Sequence, residues 1–154
     1  TGADKDPDVA GWCAMIEDPT RDPYCALFCL VHGREPSADE RAKFKKASVF
    51  GEIVYGSAAA LRKSAIGKAI ERTYPGYFRL LTEEKMVLGD DYASAGFRRE
   101  AAVMLDALSP VFAAAGVPVV TLHDAIFVRA SDAETAATLF AQVLATAGVR
   151  AAIR

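Results

Sequence analysis

The 154-residue chain is 52% hydrophobic, 25% charged and 9% aromatic. That balance fits one globular domain and excludes wholesale disorder. No apolar run approaches the roughly 18–20 residues of a membrane span, and no basic start followed by a short apolar stretch marks a secretory signal. The net charge of −2 conceals a pattern. Residues 1–40 carry net −6, residues 41–79 net +7 and residues 80–154 net −3. A basic middle between acidic flanks points to a polyanion, a nucleic acid or a triphosphate, or else to a solvated helix face.

The elements follow from caps and periodicity. Asp8 to Ile16 reads as a short helix stopped by the Asp18-Pro19-Thr20 turn. Asp22 then caps a second helix with Pro23 at its first position, running to Gly33. The three cysteines lack a C-x-x-C pair. Cys25 and Cys29 share a face of this helix and Cys13 stands alone. Small reduced core side chains in a cytoplasmic setting are the expectation.

Ser37 and Glu40 form an S-x-x-E capping box, which starts a third helix from Ala38 to about Tyr55 with a weak point at Gly51. A helix from Ala58 to Arg72 ends at Tyr74-Pro75-Gly76, and Tyr77 to Leu81 forms a turn or short helix. Residues 88–91 form a loop. Ala93 to Leu108 is a helix broken by Pro110, continuing over Val111 to Ala115. Val117–Leu122 and Ile126–Val128 are β-branched and apolar, and make a hairpin around His123-Asp124-Ala125. A second capping box, Ser131 and Glu134, starts a helix from Asp132 to Ala147, and Val149 to Ile153 begins a last strand. The expected fold class is α+β, mostly helical: a helical block over 1–92, then helix, hairpin and helix over 93–154.

Four groups of residues can carry chemistry. Asp124, beside His123 between two apolar strands, suits a metal ion or a phosphate-bound cation, or else a turn in which the carboxylate bonds its own backbone. Arg41 and Lys45, four apart on a helix, share a face with Lys46 nearby, and such cations suit a triphosphate. Tyr55-Gly56 follows, and an aromatic there can stack on a base. Arg98 and Arg99 lie early in a helix from which they can reach a nucleic-acid backbone, or else form an exposed helix start. Asp22-Pro23-Tyr24 alone is a helix cap.

In order, D-P-Y, R-A-K-F-K-K-A-S-V-F-G-E-I-V-Y-G, E-R-T-Y-P-G-Y-F, R-R-E-A-A-V-M-L and V-V-T-L-H-D-A-I-F-V resemble the fingers and later palm of a family A DNA polymerase, of the bacterial polymerase I and phage replicative type. The resemblance spans nearly the whole chain, with the tail of the first palm segment at 1–20. It implies template-directed nucleotidyl transfer by a two-metal mechanism. Asp124 would hold magnesium, with another ligand supplied from outside this segment, and His123 would lie near the primer terminus. Arg41 and Lys45 or Lys46 would grip the incoming deoxynucleoside triphosphate. Tyr55 would close over the nascent base pair with Gly56 behind it, and Tyr24 would fall near the β-phosphate. Arg98 and Arg99 would face primer-template DNA. Single-subunit RNA polymerases share this palm and its H-D-A variant.

The family spaces the fingers-helix residues by fours, whereas Phe50 and Tyr55 are five apart here. Counting from Arg41 selects Lys45, and counting back from Phe50 selects Lys46. Asp4, Asp6 and Asp8 lie in an acidic turn rather than after an apolar strand, so none is assigned as the family's first palm aspartate. With no room for a thumb, the chain is expected to be an internal part of a longer polymerase, to work with its remaining domains and not to polymerise alone. Two other classes compete. One is a non-catalytic nucleic-acid-binding relative. The other is an HD-type phosphohydrolase using His32, His123, Asp124 and Asp132, which requires a helix over 119–128.

Overall fold

The computed structural model describes residues 6–122 and 125–149. It is 77% helical with a small two-stranded antiparallel sheet, the mostly helical α+β class expected. The chain divides into two compact units, Thr1–Ala93 and Ser94–Arg154. Among the described residues, no helix is long and apolar enough to cross a membrane.

The first unit begins with α1 (Pro7–Glu17), capped by Asp6, and α2 (Pro23–His32), capped by Asp22. Asp8 Oδ2 accepts the Gly76 N–H at 3.0 Å, so the acidic turn ties α1 to the start of α6 (Pro75–Leu88). α3 (Ala38–Phe44) starts at the expected capping box and passes directly into a π-helical segment, Lys45–Val54. The single α-helix expected up to Tyr55 therefore changes its hydrogen-bond step from i→i+4 to i→i+5 halfway along.

The helix expected over Ala58–Arg72 is two helices, α4 (Ala58–Lys63) and α5 (Ala65–Thr73). Ser64 makes the break. Its backbone is extended, its hydroxyl donates to the Leu61 carbonyl at 2.9 Å and it accepts the Gly67 N–H at 3.0 Å. A serine that caps itself out of a helix is a competitor that composition alone does not reveal. A Cβ on Gly67 would stand 1.8 Å from the Leu61 carbonyl oxygen, so only glycine fits this junction.

The turn or short helix expected at Tyr77–Leu81 is part of α6, which is 14 residues long. Its buried face is Phe78, Leu81, Thr82 and Lys85, spaced i, i+3, i+4, i+7. Two of those four are polar, which hid the stripe. The core of the unit gathers Trp12, Leu27, Phe28, Phe44, Ile53, Leu61, Ile66, Ile70, Phe78 and Leu81. Complete burial of an Ile or Leu stabilises by about 1.5–3 kcal/mol, and Leu61, Ile66 and Ile70 all reach it. Trp12 stacks on Tyr77 at 4.0 Å between centroids and meets the edge of Tyr74. The three cysteines are free and half-buried rather than core residues, and Cys13 packs against this core from its margin.

The second unit starts at Ser94 within α7 (Tyr92–Ala101), whose first two residues belong to the first unit, and goes on through a π-helical segment (Ala102–Ala107) and α8 (Leu108–Ala114), without the break expected at Pro110. Pro110 lies inside this continuous helical run, three residues after the π-helical segment ends. β1 (Val120–Leu122) and β2 (Ala125–Phe127) pair antiparallel, with Val120 opposite Phe127, Thr121 opposite Ile126 and Leu122 opposite Ala125. The hairpin is thus as expected, with shorter strands. α9 (Ala133–Thr146) follows a 3₁₀ turn over Ala130–Asp132. The second capping box does not form: the Ser131 hydroxyl donates to Asp132 Oδ1 and Asp132 takes the cap position without a side-chain bond to the helix. Met104, Leu108, Phe112, Val117, Ala136 and Val143 make the core of this unit, with Ile126 packed against it. Val149 is not in a strand, and the rest of that expected strand lies outside the described residues.

Candidate functional site

Asp22 has two tasks. As the cap of α2, its Oδ1 accepts the Tyr24 N–H at 2.9 Å and the Cys25 N–H at 3.1 Å. Across from it on α3, the Arg41 guanidinium donates Nε to Oδ1 at 3.1 Å and Nη2 to Oδ2 at 2.5 Å. The bidentate Arg41 pairing is the main reason that the Asp22 carboxyl is held below its ordinary range, and the capped N–H groups add to it.

The start of α3 is fixed in the same manner. Glu40 accepts the Ser37 N–H at 2.9 Å and pairs with Arg34. Arg34 first, then the cap bonds, hold the Glu40 carboxyl down to about 2.

Arg41 and Lys45 reach the same aromatic ring. The Arg41 guanidinium carbon lies 5.2 Å and the Lys45 amine 4.7 Å from the centre of the Tyr24 ring, both within cation–π range. The Lys45 amine is also 5.7 Å from the centre of the Phe50 ring, and the Phe50 and Tyr55 rings lie 6.4 Å apart. Arg41, Lys45, Phe50 and Tyr55 therefore line one face.

The π-helical step explains this. In an α-helix, neighbours on a face are three or four apart. With i→i+5 bonds, as in Tyr55 N–H to the Phe50 carbonyl at 2.8 Å, residues five apart come into line. The 4-5-5 spacing that is out of step for an α-helix is in step for α followed by π. Lys46 is exposed and makes none of these ring contacts, so of the two lysines it is Lys45 that shares the face. Tyr55 ends the segment with 60% of its surface exposed.

Gly56 follows in a close approach: a Cβ there would stand 2.6 Å from the Glu52 carbonyl oxygen. Beneath this turn lies Lys85, which the sequence reading missed. It is 3% exposed, and its amine donates to the carbonyls of Gly56 at 2.7 Å and Val54 at 3.3 Å. The amine also faces the Tyr92 ring, 4.0 Å from its centre. Burial pushes the Lys85 amine below its ordinary pKa. The signal available in the sequence was its place in the Phe78, Leu81, Thr82 stripe. For the Asp22–Arg41 pair, 19 residues apart, no sequence signal existed.

Arg98 and Arg99 belong to the second unit, where both are exposed on α7. A cleft of about 430 Å³ on this unit is lined by Phe97, Glu100, Ala101, Met104, Leu105 and Thr121. His123 and Asp124 lie outside the described residues. Among the described residues, no three His, Cys, Asp or Glu side chains group to hold a metal ion. The helix that an HD-type phosphohydrolase needs is contradicted by the strands at Val120–Leu122 and Ala125–Phe127. Of that class's other residues, His32 packs on Phe28 and Phe44, and Asp132 pairs with Arg129.

No protein-family model, curated protein or solved structure matches this chain.

Proposed function

We propose that the Tyr24, Arg41, Lys45, Phe50, Tyr55 face binds a deoxynucleoside triphosphate, and that the chain is part of a DNA-directed DNA polymerase of the family A type. The observation that carries the proposal is the π-helical step. It draws two cations and two aromatic rings of irregular sequence spacing into one row, ordered as a triphosphate followed by a base requires. In nucleotidyl transfer, a primer 3′-oxygen forms a bond to the α-phosphorus, its proton leaves, and the bond to pyrophosphate breaks. Arg41 and Lys45 neutralise charge on the departing pyrophosphate, and Tyr55 offers a ring to the base.

In this proposal Asp124 is one carboxylate ligand for magnesium, which supplies charge neutralisation at the reacting phosphate when bound. Arg98 and Arg99 contact the backbone of the primer-template.

The test is an equilibrium titration of the purified chain with a deoxynucleoside triphosphate. Saturable binding, weakened at least tenfold in Arg41→Ala/Lys45→Ala, supports the proposal. Absence of saturable binding at millimolar nucleotide overturns it.

One observation favours a second reading, in which the chain binds nucleic acid without catalysis. The Arg41 guanidinium is already committed to Asp22. Binding of primer-template DNA that is indifferent to added nucleotide, and to Asp124→Ala, would decide for that reading.

A further inference from the structure

Three constraints converge on the backbone around Tyr55. Its own N–H is bound to the Phe50 carbonyl at 2.8 Å. The following residue can only be glycine, because a Cβ would stand 2.6 Å from the Glu52 carbonyl oxygen. The carbonyls on either side of it, those of Val54 and Gly56, both accept from the Lys85 amine.

A helix leaves its last carbonyls without partners along the chain, and a cation there satisfies them and offsets the negative end of the helix dipole. The usual cation for this task is exposed and sits in the last turn of the same helix. Lys85 instead comes from α6, is 3% exposed and lies against the Tyr92 ring. Burying a lysine is costly, since the amine leaves water. A local cap would have served if closing the helix were the only need.

We propose that Lys85 is a positioning residue that holds Tyr55 in the Arg41–Lys45–Phe50 row by clamping the two carbonyls that flank it. The clamp makes a 60% exposed tyrosine a rigid platform rather than a mobile one. The role in nucleotide binding rests on the function proposed above; the clamp itself does not.

The experiment uses the full chain grown with 3-fluorotyrosine. Its five tyrosines give five ¹⁹F resonances, assigned by single Tyr→Phe substitutions. In Lys85→Met, which keeps the length and apolar stem but has no donor, the Tyr55 line should move to the random-coil position. The Tyr24 and Tyr77 lines should stay. The Tyr92 line, whose ring the amine touches, reports that the substitution was made where intended. Lys85→Arg, which keeps the donors, should restore the Tyr55 line. In parallel, Lys85→Met should weaken deoxynucleoside triphosphate binding about tenfold, with Lys45 intact and Lys85→Arg again restoring it.

A Tyr55 line unchanged in Lys85→Met overturns the clamp. Loss of the Tyr55 position with no nucleotide binding by the parent chain leaves the clamp standing and removes the polymerase assignment. Should Lys85→Met fail to fold by circular dichroism, Lys85→Leu, which likewise has no donor, is judged on the same displacement of the Tyr55 line.

Discussion

The Lys45 amine lies 4.7 Å from the centre of the Tyr24 ring, bringing α2 and the first residue of the π-helical segment together at one point. Lys46, the next residue, is exposed. The two lysines are chemically identical, so their difference is one of direction alone. Lys45→Ala should weaken triphosphate binding roughly tenfold, the equivalent of about 1.4 kcal/mol. Lys46→Ala should change it less than twofold. Parallel titrations of the two variants check this, and equal losses would show that only local charge matters.

Asp22 holds Arg41 and caps α2 at once. Asp22→Asn separates these tasks, because Asn is as good a cap but carries no charge. Both partners are about one-third exposed, so the pair itself contributes little stability, under about 1 kcal/mol. The expected outcome is a small loss of thermal stability with tighter triphosphate binding, as the guanidinium is released. Since the folded Asp22 pKa is depressed, the pair's contribution is present above the ordinary carboxylate range and fades as pH falls below it. Asp22→Asn should remove that dependence, which denaturation curves across acid pH would show.

Glu40 offers a direct test of the α3 start. Its carboxyl is held down to about 2 against an ordinary value of 4.5, chiefly by Arg34. A depressed folded pKa means that the contribution is complete above about 4.5 and is lost as pH falls toward 2. Carboxyl ¹³C titration should therefore place the Glu40 midpoint well below that of an exposed glutamate. Arg34→Ala should return it most of the way, leaving only the part due to the cap bonds with Ser37.

Gly67 and Gly96 should respond oppositely to alanine. At Gly67 the new Cβ would overlap the Leu61 carbonyl, which is backbone and cannot turn aside. Gly67→Ala should cost at least the 1–3 kcal/mol or so usual for overpacking. Gly96, inside α7, has nothing within 4 Å of such a Cβ. There alanine should stabilise by about 0.5–1 kcal/mol through helix propensity. Denaturant midpoints of the two variants check the pair.

Much of the local structure follows from the sequence by itself. Asp22-Pro23, Ser37 with Glu40, and the β-branched apolar runs around His123-Asp124 mark elements that lie where they were expected. These signals are short-range: a cap, a proline ring and a run of β-branched residues act within a few positions of the chain. The fold class follows from them, and so does the proximity of Arg41 to its neighbours on α3.

What only the tertiary structure decided is where two local options were close in energy. Ser64 could ride in a helix or cap two, and the tight approach at Gly67 accompanies the second choice. Thr82 and Lys85 are polar, yet partners 20 and 29 residues away, Arg62 and Gly56, make their burial tolerable. The spacing of Lys45, Phe50 and Tyr55 looked like a slipped register because spacing maps to a face only once the helical step is known. That step becomes legible only with the backbone hydrogen bonds, such as the Tyr55 N–H to the Phe50 carbonyl, which are not read from residue spacing.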